Sequence, residues 1–110
     1  MKCNVINKNS YFLIQVSGEV DMATSLALRK AVLDCLKRQK GILVDLASVV
    51  YIDSSGLASL IEGYQQARTQ RLPFGLVKIP EVVSNVLELA RLDRVFPLYK
   101  DIFTWEQSIK

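Results

Sequence analysis

The sequence predicts one α/β domain, residues 1–110, whose mixed β-sheet of four to five strands starts in an N-terminal hairpin and is covered by about four α-helices. A chain of 110 residues, half of them hydrophobic and 23% charged, is large and apolar enough to bury a core. Two apolar segments around a short polar turn come first, and helical and strand patterns alternate after them. Such alternation is typical of parallel strands joined by right-handed crossovers.

The first half of the chain supplies the hairpin, a helix and a central strand. Cys3–Asn7 and Tyr11–Ser17 predict two strands around a polar turn of the hairpin type. Ala23–Arg38 predicts a helix, since its apolar residues recur at the spacing of one buried face, to which Cys35 belongs. Ile42–Leu46 is a nearly continuous apolar run, which indicates a central strand covered on both sides. A short connection then leads to the second helix.

The second half of the chain continues the alternation, with prolines near the ends of its elements. Pro80 suits the first turn of a helix, where its missing N–H costs nothing, and Pro97 restricts its strand to the edge of the sheet. The predicted elements are a helix over Ser55–Gln70, a strand over Phe74–Ile79, a helix from Pro80 to near Leu92, an edge strand over Val95–Tyr99 and a last helix in which Thr104 and Gln107 form a capping box.

Composition excludes several classes of function. Histidine is absent, which removes Ser-His-Asp and Cys-His catalysis and the commonest transition-metal ligand, so no catalytic residue, metal or cofactor is expected. The net charge is +3, but the basic residues are scattered without interleaved aromatic residues, so no nucleic acid partner is expected. No apolar run approaches the roughly 20 residues that span a bilayer, and no signal peptide is evident. Cys3 and Cys35 lack a paired spacing, which favours a cytoplasmic location without membrane insertion.

The segment Asp53-Ser54-Ser55-Gly56 follows the central strand and opens the second helix. Asp53 is placed to cap this helix by accepting from the N–H of Ser55 or Gly56. The two serines either satisfy N–H groups at the helix start or present a hydroxyl that a kinase can reach. Gly56 either lets a partner approach closely or serves the turn itself, and Leu57 is either half exposed or part of the core.

The order of elements and several motifs resemble the STAS domain, the family of bacterial anti-sigma factor antagonists, over essentially the whole chain. The main motif is Ile52-Asp53-Ser54-Ser55-Gly56-Leu57, fed by a strand. Gly18-Glu19-Val20-Asp21 is similar to the turn before the first helix of that family. The leucine-rich segment Val86–Phe96 is similar to its third-helix signature. The resemblance implies a STAS-like mixed sheet.

The resemblance also implies a non-enzymatic, partner-switching regulator of transcription. In antagonists of this family the serine directly before the glycine is phosphorylated, which corresponds to Ser55 here. The kinase is the anti-sigma factor, a serine kinase of the histidine-kinase-like ATPase type, and a separate phosphatase removes the phosphate. The unphosphorylated antagonist binds the kinase and frees the sigma factor, and the phosphorylated form is released. The partner-binding residues expected on this basis are Asp21, Asp53, Ser54, Gly56 and Leu57.

Phosphate on Ser55 has a physical rationale as well. A phosphoserine adds about −1.5 to −2 charge, which the N–H groups and dipole of the helix start are expected to tolerate within the protein. A partner packed over Ser55 would instead meet bulk and a newly buried charge. Asp21 is expected either to cap the first helix or to contact the kinase.

Two other functions compete with partner switching. Some stand-alone STAS proteins are similar to cytosolic subunits of ABC-type lipid transporters, which bind the transporter's ATPase subunit through the same helix face. An enzyme that uses Asp53 and Ser55 is disfavoured because no histidine or second clustered acid stands beside them. Asp45, which interrupts the central strand, is expected at a strand end near solvent. Phe103 and Trp105 are expected to pack the last helix against the sheet.

Overall fold

The computed structural model describes residues 1–110 and contains one five-stranded sheet and four helices. The strands lie in the order β1-β2-β3-β4-β5, the same as their order in the chain. The elements are β1 (Lys2–Asn7), β2 (Tyr11–Val20), α1 (Ser25–Lys37), β3 (Gly41–Ile52), α2 (Ser54–Thr69), β4 (Phe74–Val77), α3 (Glu81–Leu89), β5 (Leu98–Tyr99) and α4 (Ile102–Ser108).

The pairing of the strands confirms the predicted mixed sheet. β1 and β2 form an antiparallel hairpin, and Asn9 takes the left-handed conformation in its turn with a φ of 73°. The pairs β2–β3, β3–β4 and β4–β5 are all parallel. Their crossovers are α1, α2 and α3, as the alternation of patterns predicts.

The two faces of the sheet are covered differently. The main core lies under α1, α2 and α3, where alternate residues of β2 such as Phe12 and Ile14 meet Leu28 and Val32 of α1. The other face carries a smaller cluster, in which Trp105 of α4 lies among four apolar residues of the strands: Tyr11, Leu13, Leu43 and Val77. The sheet therefore has one fully covered face and one face covered by α4 alone.

The central strand is longer than predicted, because β3 runs to Ile52 where a connection was expected after Leu46. Its second part pairs with the end of β2, so that Glu19 lies opposite Tyr51 and Val20 opposite Ile52. Most side chains of this part are exposed, which hides the strand from a reading based on continuous apolar residues. The added length brings the start of α2 to the end of β2.

Asp45 was expected at a strand end near solvent. It lies instead in the middle of β3, with 6% of its surface exposed. The register between β2 and β3 shifts there, since Gln15 pairs with Asp45 but Ser17 pairs with Ser48. This bulge removes backbone partners, and Asp45 Oδ1 accepts a hydrogen bond from Ala47 N at 2.9 Å. Asp45 therefore satisfies the backbone of its own bulge.

The last helix also begins differently from the prediction. Asp101 is the N-cap, and its side chain accepts from Thr104 N at 2.8 Å, so the capping box of Thr104 and Gln107 is wrong. Trp105 is fully buried against the sheet as predicted, whereas Phe103 is 69% exposed and does not pack there. The reason is helical geometry, because residues two apart on a short helix point to different sides.

Two general features of the chain bear on function. None of the four helices combines the length and the apolar character needed to cross a bilayer. No three His, Cys, Asp or Glu side chains come together in a group that could hold a metal ion. Cys35 lies in the main core as predicted, and burial raises the pKa of its thiol.

Candidate functional site

The carboxyl ends of β2 and β3 meet at one edge of the sheet, and the loops leading to α1 and α2 begin there side by side. Asp53 N donates to Val20 O at 3.2 Å, which ties the start of α2 directly to the end of β2. The first residue of α1 is also joined to the second turn of α2, since Ser59 Oγ donates to Ser25 O at 3.0 Å. In parallel sheets this edge is where loops carry binding groups.

Asp53 caps α2, as the sequence predicts. Its Oδ1 accepts from Ser55 N at 3.0 Å and from Gly56 N at 3.2 Å, and the Ser55 hydroxyl donates to the same oxygen at 2.6 Å. The Ser55 hydroxyl is the largest cause that holds the pKa of the Asp53 carboxyl group below its ordinary value, and the N–H groups of Gly56, Ser55 and Met22 act in the same direction. Asp53 is therefore a carboxylate at neutral pH.

The two serines of the motif are in different environments. Ser54 is exposed, and its hydroxyl forms no hydrogen bond within the chain. Ser55 is half-buried, and its hydroxyl proton is committed to Asp53. The N–H groups of Ser55 and Gly56, which were expected to accommodate a phosphate, are already occupied by Asp53. A phosphoryl group on Ser55 would therefore have to find its place outside this cap.

Gly56 and Leu57 support the site from beneath. A Cβ on Gly56 would stand 2.8 Å from Ile52 Cγ1 and 2.8 Å from Val20 Cγ1, so the close approach that glycine permits is internal to the chain. Of the two predicted uses of Gly56, this packing supports the turn itself, and contact with a partner stays a prediction. Leu57 is 5% exposed and belongs to the main core, which decides between the two predicted positions. Neither residue presents a side chain to the surface.

Asp21 lies beside this motif but does not cap α1 in the strict sense. The N-cap of α1 is Thr24, without a side-chain capping bond. Asp21 Oδ1 instead accepts from Ala23 N at 3.0 Å and from Thr24 Oγ1 at 3.1 Å, which closes the turn before the helix. Asp21 thereby fixes the loop that carries Met22.

Sequence reasoning missed a set of exposed apolar side chains in the first turn of α1, in the loop before it and at the end of β3, which we call the apolar rim: Met22, Leu26, Val50 and Tyr51. Met22 is 82% exposed and Leu26 is 71% exposed, although both are large and apolar. Leu26 gave the one available signal, because it lies off the buried stripe of its helix. Large apolar side chains left exposed in neighbouring segments are typical of interaction surfaces.

Fold and site together define a class of protein, and comparison with known families agrees. The family model described as Mlab, STAS domain, matches residues 7–100, and the chain belongs to the STAS domain family. The predicted resemblance and the predicted fold class are thereby confirmed.

Individual relatives that match this chain are named as anti-sigma factor antagonists. The anti-sigma-F factor antagonist RsfB of Mycobacterium tuberculosis is 25% identical over 99 residues, which cover 89% of this chain and 80% of RsfB. The crystal structure of an anti-sigma factor antagonist from Mycobacterium paratuberculosis superposes with a TM-score of 0.84 at 27% identity, over 97% of this chain and 92% of that one. SpoIIAA in its unphosphorylated form superposes with a TM-score of 0.82 at 13% identity, over 97% and 96% of the two chains, and supports the fold alone.

Proposed function

We propose that this chain is an anti-sigma factor antagonist of the partner-switching kind, a protein without enzymatic activity that acts in the cytoplasm. It binds an anti-sigma factor that is also a serine kinase, and phosphorylation of Ser55 ends the binding. The observation that carries the proposal is the half-buried Ser55 hydroxyl, held 2.6 Å from Asp53 beside the apolar rim. The relatives named as anti-sigma factor antagonists support it.

The apolar rim supplies the affinity in this proposal. Burying a large apolar side chain contributes roughly 1.5–3 kcal/mol, and Met22 and Leu26 have most of their surface still to bury. Their loop and helix turn are held in place by Asp21 and by the bond from Ser59 to Ser25. A rim fixed in this way loses little conformational freedom when a partner covers it.

Phosphorylation of Ser55 reverses the binding by charge. The phosphate adds about −1.5 to −2 charge next to the Asp53 carboxylate, inside a surface that is desolvated when the partner binds. Burying such an unpaired charge costs several kcal/mol, so the affinity is expected to fall by about a hundredfold or more. A phosphatase that removes the phosphate completes the cycle.

A second candidate function is favoured by the family description itself, which names Mlab. In that case the chain is a STAS subunit of an ABC-type lipid transporter, and the apolar rim packs on the ATPase subunit. The charge at Ser55 would then have no regulatory part, and Ser55 would serve the helix start together with Asp53.

A pull-down from native extract separates the two functions. Tagged wild type is compared with Ser55→Ala, Ser55→Asp and Thr69→Asp, which adds the same charge at the opposite end of α2. Partner switching predicts that wild type, Ser55→Ala and Thr69→Asp capture a small serine kinase with an ATPase-type domain, that Ser55→Asp does not, and that wild type carries phosphate on Ser55. Capture of a permease and an ATPase subunit equally by all four proteins would instead establish the transporter function.

A further inference from the structure

We propose that Asp53 positions the Ser55 hydroxyl for phosphoryl transfer and then forces the transferred phosphoryl group outward, away from the α2 cap. This inference rests on the proposed function, since it concerns the phosphorylation of that same serine. It assigns to Asp53 a part in the switch beyond capping α2.

The first step of the argument is the direction of one hydrogen bond. The Ser55 hydroxyl has a single proton, and that proton is donated to Asp53 Oδ1 across 2.6 Å, the length of a charge-assisted bond. Both lone pairs of Ser55 Oγ are consequently free and point away from Asp53. Ser54, one residue earlier, is exposed and its hydroxyl has no such acceptor within the chain.

The second step is that the acceptor itself is fixed. Asp53 Oδ1 is held by the N–H groups of Ser55 and Gly56, and Gly56 packs tightly on Val20 and Ile52. The serine rotamer is therefore set by the backbone of the turn and the core beneath it. Phosphoryl transfer depends largely on positioning, so a nucleophile held in one rotamer reacts faster than a rotating one.

The transfer itself can be written in full. A lone pair of Ser55 Oγ forms a bond to the γ-phosphorus of ATP, and the bond from that phosphorus to the bridging oxygen breaks, so that ADP leaves with the electron pair. The Ser55 proton passes along the existing hydrogen bond to Asp53 Oδ1. It goes from there to solvent, since a carboxyl group with a lowered pKa does not retain it.

The product has lost the hydrogen bond that the substrate had. Phosphoserine has no proton on Oγ, so the ester oxygen and the Asp53 carboxylate are both acceptors, and the phosphate and carboxylate charges repel each other. The N–H groups of Ser55 and Gly56 are already occupied by Asp53. The phosphoryl group consequently turns away from the cap and into solvent, where a bound partner would have to accommodate it.

The first test measures this repulsion directly and needs no kinase. Phosphoserine is introduced at position 55 or at position 54 by nonsense suppression, with and without Asp53→Asn, and each phosphate is titrated by ³¹P NMR. We expect phosphoserine at 55 to titrate at a higher pH than phosphoserine at 54 and above the usual value of about 6. Asp53→Asn should abolish the difference. If the phosphate at position 55 titrated at the same pH with and without Asp53→Asn, the inference would be overturned.

The second test measures positioning with the kinase captured by the wild-type chain. Asp53→Asn keeps an oxygen that caps α2 but removes the charge, and we expect kcat for phosphorylation of Ser55 to fall about tenfold with KM changed less than about twofold. Asp101→Asn is the matched control, since Asp101 caps α4 in the same manner and should leave both constants unchanged. An unchanged kcat for Asp53→Asn would refute positioning. Failure of wild type to capture or serve any kinase would refute the proposed function, while the NMR titration would still decide whether Asp53 repels a phosphoryl group on Ser55.

Discussion

The starts of α2 and α4 use the same local chemistry. Each helix begins at an aspartate whose Oδ1 accepts both an N–H and a side-chain hydroxyl, from Ser55 at 3.0 and 2.6 Å in α2 and from Thr104 at 2.8 and 2.7 Å in α4. In both cases the fourth residue after the aspartate is buried in a core. An aspartate with a hydroxyl two or three residues later is thus a general way to begin a helix.

The surroundings of the two caps differ. The α2 cap lies where the carboxyl ends of β2 and β3 meet, over Gly56, with the apolar rim beside it. The α4 cap lies on the other face of the sheet, next to the edge strand β5, and its buried residue is Trp105. The comparison teaches that an aspartate cap by itself does not define a candidate binding site. What distinguishes the α2 cap is its position at the edge of the sheet and the exposed apolar residues beside it.

The largest effect is expected on the free energy of unfolding when Trp105, the buried residue of α4, is truncated. Trp105 is completely buried, with its ring 5.6 Å from that of Tyr11 and 5.3 Å from that of Tyr99. Trp105→Ala should lower the free energy of unfolding by about 3–5 kcal/mol in urea denaturation, because it leaves a large cavity. Phe103→Ala on the same helix should change it by less than about 0.5 kcal/mol. Equal losses in the two variants would show that α4 is not held by Trp105.

The next effect concerns the glycine beneath the α2 cap. Gly56→Ala places a Cβ against Ile52 and Val20, and overpacking of this kind costs about 1–3 kcal/mol in unfolding free energy. Ser54→Ala, two residues earlier and exposed, is the control and should stay within about 0.5 kcal/mol of wild type. If Gly56→Ala were as stable as wild type, the turn would have room that the structure does not show.

A smaller effect, on binding alone, should separate the two helix starts. Leu26→Ser in the apolar rim is expected to weaken kinase binding by about tenfold, measured by calorimetry, because the lost apolar contact is worth roughly 1–2 kcal/mol. Phe103→Ser removes a comparably exposed apolar group beside the α4 cap and should not change the affinity. Weakening by both variants would extend the partner surface to α4, and weakening by Phe103→Ser alone would move it there.

The features that the sequence predicts correctly are local ones. The Asp53 cap follows from residue types two and three positions apart, and the order of strands and helices follows from hydrophobic period. The length of β3 and the burial of Asp45 were missed because a bulge against β2 causes both, and a bulge between distant strands leaves no pattern in one of them.

The candidate site was also predicted in part. Asp53, Ser54 and Ser55 lie together as expected, and of the two positions left open for Leu57 the structure shows the one in the core. The apolar rim was missed since exposure depends on how α1 sits beside α2. Phosphorylation of Ser55 stays a prediction.

The smallest effect tests whether the two caps are electrostatically alike. The pKa of Asp53 is lowered chiefly by the Ser55 hydroxyl, and that of Asp101 chiefly by the N–H of Thr104. A folded-state pKa below the unfolded value of 3.8 gives stabilisation that is complete above that value and is lost as the pH falls through the folded-state pKa. The Tm of wild type should therefore fall further between about pH 5 and about pH 2.5 than the Tm of a variant with asparagine at both positions.

The single variants decide the comparison. Asparagine keeps the capping oxygen but cannot be protonated in this range, so Asp53→Asn and Asp101→Asn should each reduce the fall in Tm on acidification. If the two single variants reduced the fall in Tm by similar amounts, both carboxylates would stabilise the fold equally. What distinguishes Asp53 would then be its place beside the apolar rim. If Asp53→Asn left the acid dependence unchanged while Asp101→Asn reduced it, the pKa of Asp53 would be the same in the folded and unfolded chain, and the Ser55 hydroxyl would not stabilise its charge.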